Sequence, residues 1–428
     1  MRWVLPPAGF FIELRVPKLQ FVPILIDGTG GYPLEANLYL TERACGEWAP
    51  DVPEGEDPVV PTLRSRGNIA SRLCAFFYWL KKNPDLSWQE LIYSDHLAQK
   101  YQVELLSGDG SATGRALKEA TVNLYVDEAC AFLKWAGERG FRSAFKVPKR
   151  RSRSTVHATA EPLKVRVGKL QERETTELDK LPLASEIQPW LNDVRSRHPV
   201  KALMFQLMMR TGIRISEANQ LRLSCFPRES KWKKNWLRRG EVPVTVRYGV
   251  KGGKVTPSSK LSTKSRTIYV PIDLARQIEH YVAFIRPTLL SRFKKANPTI
   301  DGRTDRMWLG ESKMQPVSNQ MLYEAWTQSR FCPEGWHPHA ARHFFAVEKL
   351  IASTKEHLRF HEIHDPKSVT FGWLYGLMAG QAAMTLAPVL GHVREETTRR
   401  YLKCVLQRMT AEIGHPALDW NAVIDEDL

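Results

Sequence analysis

Cysteine is scarce and scattered in this sequence: Cys45, Cys74, Cys130, Cys225, Cys332 and Cys404 are spread through 428 residues, with no Cys-x-x-Cys pair. That spacing argues against a disulfide framework and against a cysteine-built zinc site, and it leaves reduced, mostly buried thiols as the expectation. Nor does a long apolar run open the chain. In "MRWVLPPAGFFIELRV" the pattern is broken by Pro6 and Pro7 and followed by Glu13 and Arg15, so a signal peptide or membrane anchor is not expected, and a cytoplasmic location is. There is no internal repeat. Acidic residues are in deficit, 46 Asp plus Glu against 62 Lys plus Arg, for a formal net charge of +16. Such a surplus favours a polyanionic partner, with nucleic acid the first candidate.

The length exceeds one ordinary core, so two or three domains are expected. Residues 10 to 43 read as strands, "FFIELRV", "FVPILID" and "EANLYL", around the turn "GTGGYP", which makes residues 1–61 a β-rich N-terminal extension. From Thr62 to about residue 145 the spacing turns helical, in "ASRLCAFFYWLKK", "WQELIYSDHLAQKYQVELL" and "ATVNLYVDEACAFLKWAGERG", with Gly140 as a helix stop. Residues 146–181 are basic and rich in Ser, Thr and Pro, and read as an exposed linker, either a solvated connector or one lying against phosphates. Residues 182–414 return to long helices, interrupted by "VPVTVRYGV" and "RTIYVP" as a small hairpin, and an acidic tail follows from 415 to 428. The fold class is mainly α with small β elements.

Four segments of the second half collect the chemically active residues. In "MMRTGIRISEANQLRL" a helix stops at Gly212, and Arg214 falls just ahead of a new helix starting near Ser216, beside free N–H groups that favour an anion. In "KLSTKSRTIYVP", Lys264 sits on the turn side of a strand ending at Pro271, with Lys251, Lys254 and Lys260 nearby as competitors. In "WHPHAARHFFAV", Pro338 suits a first helical turn and sets His339 and Arg342 on one face, while Phe344, Val347 and Ile351 can bury another. In "LGHVREETTRRYLKCVLQRM", His392 precedes Tyr401 by nine positions. There Leu402, Val405, Leu406, Met409 and Ile413 form an apolar stripe from whose centre Tyr401 lies roughly 90° away, at its edge.

Taken in order, "TGIRISE", "TKSRTIYVP", "HAARH" and "LGH" with a tyrosine nine residues on resemble the tyrosine recombinases, the phage-integrase family of site-specific DNA recombinases. The resemblance covers residues 182 to about 413, and residues 62–145 are similar to that family's helical, SAM-like core-binding domain. It implies a mixed α+β catalytic domain, a C-shaped clamp on double-stranded DNA and a tetramer on two DNA sites, with room for accessory recombination proteins. By position, Arg214 and Arg342 become the arginine pair, Lys264 the hairpin lysine, His339 and His392 the histidines, and Tyr401 the nucleophile. Lys251 and Lys254 stay open as alternatives to Lys264.

That assignment makes chemical sense. In-line attack on a phosphodiester builds negative charge on its non-bridging oxygens, which planar guanidiniums match. A phenol must lose its proton and the departing 5′ oxygen must gain one, roles for His339 and Lys264. A 3′-phosphotyrosyl link would keep the ester energy, so rejoining needs no ATP, and the arginines take the place of a metal; neither cofactor nor metal is expected. A mobile-element recombinase in the cytoplasm, on the nucleoid, is the leading reading. A type IB topoisomerase-like relaxing enzyme and a non-catalytic DNA-binding relative are the alternatives. The span from Arg342 to His392 exceeds that of compact members and predicts an inserted helix or loop over 343–390. It carries His357, His361 and His364, whose spacing would suit zinc but for want of a fourth ligand. In the tail, Leu418, Trp420, Val423 and Ile424 are apolar anchors that the resemblance would dock on a neighbouring protomer.

Overall fold

The computed structural model describes residues 1–7, 9–52, 57–58, 60–151, 164–171, 178, 180–248, 265–298, 305–311, 315–363, 371–391, 401–402, 404–406 and 408–409. Lys251, Lys254, Lys260, Lys264, His364, His392, Ile413 and the tail lie outside them. The chain divides into two compact units, Met1–Thr175 and Thr176–Leu428.

The first unit is built on helices Leu34–Cys45, Leu63–Lys82, Gln102–Ser107 and Glu119–Glu138. Thr62 caps the second by accepting from the Ser65 N–H at 3.2 Å, and Gly140, at φ 76°, follows the end of the last. The expected β-rich extension is corrected. "EANLYL" is helical, with Ala36, Tyr39, Leu40 and Ala44 buried at helical spacing, because six residues of alternation cannot be told from a helix until the buried face is known. "FFIELRV" contains the short helix Phe10–Glu13. Of the three expected strands Ile24–Ile26 alone is one, and it pairs antiparallel with Arg2–Val4. Asn37 ties it to the helix behind, accepting from the Leu25 N–H at 2.7 Å and donating to the Leu25 carbonyl at 3.0 Å. These residues share one core with Phe76, Trp79, Phe132 and Trp135, so they are part of this unit and not an extension from it.

The expected linker is exposed at Lys146, Lys149 and Arg150, but it is corrected in being structured and in part buried. Lys149–Arg151 pairs antiparallel with Lys164–Arg166, and Arg166 turns inward to 5% exposure. Its guanidinium reaches Asp127 at 2.7 Å, Tyr93 at 3.0 Å, Gln102 at 2.8 Å and Asn123 at 2.9 Å. A basic residue counts as solvated in a composition argument; here four polar partners on helices satisfy it inside.

The second unit centres on Pro199–Thr211, a helix buried on nearly all sides, packed by Ala184–Arg197 and Pro338–Phe360. Trp190, Trp326 and Trp336 interlock around Phe205, with the Trp190 indole N–H donating to the Trp326 carbonyl and the Trp326 N–H to the Trp336 carbonyl, each at 3.0 Å. The expected hairpin is present: Glu241–Val246 pairs with Arg266–Pro271, Val246 opposite Arg266. The 23-residue helix Pro338–Phe360 runs on into the expected insertion, and the helical stretch Phe371–Leu390 follows. Gly372–Leu390 has the length and apolar composition of a membrane span, yet every fourth residue, Leu374, Met378, Ala382, Leu386 and Leu390, is buried in this core.

Candidate active site

Gly212 begins the site. At φ +63° it closes helix Pro199–Thr211, its N–H donating to the Met208 carbonyl at 3.0 Å. The chain then turns through Ile213 to Arg214, whose N–H donates to the Glu217 carboxylate at 2.8 Å and starts helix Ile215–Gln220. Glu217 is fully buried, and the Arg214 guanidinium reaches it at 3.2 Å. Arg266, at the head of its strand, donates to the same carboxylate from Nη2 at 2.6 Å and to the Val389 carbonyl from Nη1. Burial alone would raise the Glu217 pKa. Hydrogen bonds and charge from Arg266, then the Arg214 N–H and charge, outweigh it and hold the acid below its ordinary value.

Arg342 completes the cluster from helix Pro338–Phe360. It is 2% exposed, and Nη1 donates to the Gly212 carbonyl at 2.6 Å while Nη2 donates to the Leu390 carbonyl. Both carbonyls end helices, where unsatisfied C=O groups collect and cations are favoured. Burial, then the neighbouring charges of Arg214 and Arg266, lower Arg342 to about 9, partly opposed by Tyr401 and Glu217. It stays charged at neutral pH, but with cationic neighbours in excess of the Glu217 carboxylate, an anion would relieve it.

Tyr401 lies beside this cluster, and its placement corrects the expectation that it sits at the rim of the apolar stripe. It is 2% exposed and belongs to the core. Helix phase describes only the residue's own helix; burial here is completed by Pro338–Phe360, whose His343 faces the phenol oxygen from Nδ1 at 2.9 Å. A buried tyrosine hydroxyl needs such a partner. Sequence reasoning passed over His343, the last residue of "HAARH", and assigned the proton to His339. His339 is exposed, its ring meeting the His343 ring edge-on at 4.6 Å. His337 is absorbed by structure, its Nδ1 accepting from the N–H groups of His339 and Ala340 at 3.2 Å to cap the helix.

The structure therefore brings together Arg214, Arg342 and Tyr401, sets His339 one ring away, and adds Arg266, Glu217 and His343. Arg266 had left a signal: it is in phase with the buried Ile268 and Val270 of its strand, where an arginine must have a buried partner. Of the histidines in the expected insertion, His357 and His361 stand 3.0 Å apart between their Nε2 atoms.

Neither a protein-family model nor a curated protein sequence matches the chain. Among solved structures it is similar to tyrosine recombinases. One is XerH site-specific recombinase bound to palindromic difH substrate in a post-cleavage complex, with 15% identity, 82% of this chain and 80% of that chain covered, and a TM-score of 0.45. Another is the Tn1549 transposon integrase in complex with circular intermediate DNA, at 15% identity, 79% and 92% coverage, and a TM-score of 0.41. A third is a lambda integrase dimer bound to a COC′ core site, at 13% identity, 80% and 89% coverage, and a TM-score of 0.40. At such identities the side chains themselves have to carry the functional reading.

Proposed function

We propose that the second unit is the catalytic domain of a tyrosine recombinase that cuts and rejoins duplex DNA through a 3′-phosphotyrosine at Tyr401. The observation that carries this reading is the gathering of Arg214, Arg266 and Arg342 around the buried carboxylate of Glu217, with the Tyr401 phenol alongside. A buried surplus of guanidinium matches a phosphodiester in the charge it develops during substitution. Arg342 is held by two backbone carbonyls, so its remaining N–H donors are aimed before substrate arrives.

In the proposed step the Tyr401 oxygen attacks phosphorus in line, the bond to the 5′ oxygen breaks, and the phosphate stays joined to the tyrosine. His343, with Nδ1 as acceptor, takes the phenol proton, and His339 packs edge-on against its ring. Lys264, to protonate the departing 5′ oxygen, and His392, as a further phosphate donor, are carried over from the family resemblance. The reverse step needs only a 5′ hydroxyl. A tetramer on two DNA sites, a resting monomer and a mobile-element setting belong to the same proposal.

A nicked suicide duplex carrying the ends of the host element tests it. Covalent protein–DNA product is expected with the native chain and absent with Tyr401→Phe; equal product in both, or none in either, sinks the assignment. With the same substrate His343→Ala should slow trapping more than His339→Ala, by 10²- to 10⁴-fold on the order of general-base effects. Strand exchange between two duplexes then separates a recombinase from a topoisomerase-like enzyme, which would only relax supercoils.

A further inference from the structure

Helix Lys234–Arg239 and the 3-10 turn Glu229–Lys231 before it form a basic strip that the cutting chemistry does not use. Lys231, Lys233, Lys234, Arg238 and Arg239 are all exposed within nine residues. Trp232, just ahead of the helix, and Trp236, within it, pack against the core, and the Trp232 indole N–H donates to the Pro227 carbonyl at 2.9 Å. The strip is thus anchored on its apolar side while its cations stand outward.

Its local energetics do not explain those cations. Arg238 and Arg239 suit a helix C-terminus, but Lys233 and Lys234 occupy the N-cap and first position, where the helix dipole disfavours positive charge. The bordering acids are engaged elsewhere, Glu229 with Arg276 at 3.4 Å and Glu241 with Lys349 at 3.7 Å. Among the described residues no ion pair reaches the five cations, although Lys233 lies over the Trp236 ring, 5.6 Å from its centroid. Five like charges held together without acids repel one another unless a polyanion covers them.

We propose that this strip docks on the phosphate backbone of duplex DNA away from the scissile phosphate. The hairpin fixes its place. Glu241, two residues beyond Arg239, is opposite Pro271 at one end of the ladder, and Val246 is opposite Arg266 at the other. Five residue steps of strand span roughly 17 Å, about five base-pair rises along a duplex. Along that ladder the strip would hold backbone within about half a turn of the bond being cut, setting where on the duplex the site sits without reading bases. This inference rests on the recombinase reading.

The test uses full-length Tyr401→Phe protein, which cannot form the covalent link, and a 30-base-pair duplex of arbitrary sequence, binding being measured from low to high salt. Adding Lys231→Gln, Lys234→Gln, Arg238→Gln and Arg239→Gln should reduce the slope of log affinity against log salt by about 2 to 3.6, at roughly 0.9 for each phosphate no longer neutralised. Lys231→Arg with Lys234→Arg should leave the slope as it was, and the thermal midpoint should fall in neither variant, neutralisation relieving the repulsion among the cations. An unchanged slope in the neutralised protein overturns the inference and leaves the recombinase reading standing. No duplex binding by the parent at any salt overturns both. Tighter binding to duplex RNA than to duplex DNA, lost in the neutralised protein, would assign the strip to another partner and so overturn it too.

Discussion

Replacing Glu217 by Gln removes one charge and almost no volume, and it isolates what that carboxylate does among the arginines. A glutamine oxygen can still accept from the Arg214 N–H, so the start of helix Ile215–Gln220 survives. What is lost is the counter-charge to Arg266, whose side chain is 6% exposed against 0% for Glu217. Breaking a pair so buried costs about 3–5 kcal/mol, because the remaining guanidinium stays desolvated without its anion. The Arg214 interaction adds little, since that side chain is 23% exposed and screened by solvent. For a unit of this size, about 3 kcal/mol corresponds to a fall in thermal midpoint on the order of 10 °C. Calorimetry should show the second unit melting earlier by that amount and the first unit unmoved. Sulfate should then restore more stability to the variant than to the native protein, because the arginines have gained an unanswered charge. A loss below about 1 kcal/mol, or no difference in the sulfate response, would refute the argument that this carboxylate keeps the cluster folded without substrate.

Gly212→Ala places a methyl group 2.5 Å from Phe345 Cδ1 and 2.8 Å from Leu390 Cδ2 at a left-handed φ; a loss of about 2–5 kcal/mol is expected in urea unfolding, and a neutral result would mean the helix end can move. Arg342 is depressed to about 9, below the value of an unfolded arginine. The unfolded chain therefore keeps the proton as pH passes 9 while the folded chain releases it, and the native stability minus that of Arg342→Met should rise above pH 9; a flat difference from pH 8 to 10.5 contradicts this. Arg166→Met leaves Tyr93, Gln102 and Asn123 without their buried partner and should lower the urea midpoint of the first unit by the equivalent of about 3 kcal/mol, with an unshifted midpoint showing that the strand docks without it.

Much of the second unit was legible because its signals are local. Gly212 ends a helix where a left-handed residue is wanted, Pro338 opens one where a missing N–H costs nothing, and "RTIYVP" joins β-branched and aromatic residues to a closing proline, which marks a strand where alternation alone does not. The arginine and tyrosine candidates were legible through their order in the chain. What local reading missed was set by partners distant in sequence. Tyr401 is buried because of His343, 58 residues earlier, Glu217 is ionised because of Arg266, 49 residues later, and Arg166 is drawn inward by side chains on helices 39 to 73 residues before it. The strand reading of "EANLYL" failed for the same reason, since the face it buries is chosen by Leu25 and Trp135 and not by its own pattern.

Two of the guanidiniums are oriented by main-chain oxygens: Arg342 by Gly212 and Leu390, Arg266 by Val389. A main-chain oxygen is present whatever side chain the residue bears. Selection acting on this centre therefore has little hold on the identities of residues 389 and 390 beyond their fit to the core, and strong hold on the backbone path that delivers their carbonyls. Lineages could exchange those side chains for others of similar bulk and keep the guanidiniums where they are, so that divergence in sequence here would be a poor clock for divergence in chemistry.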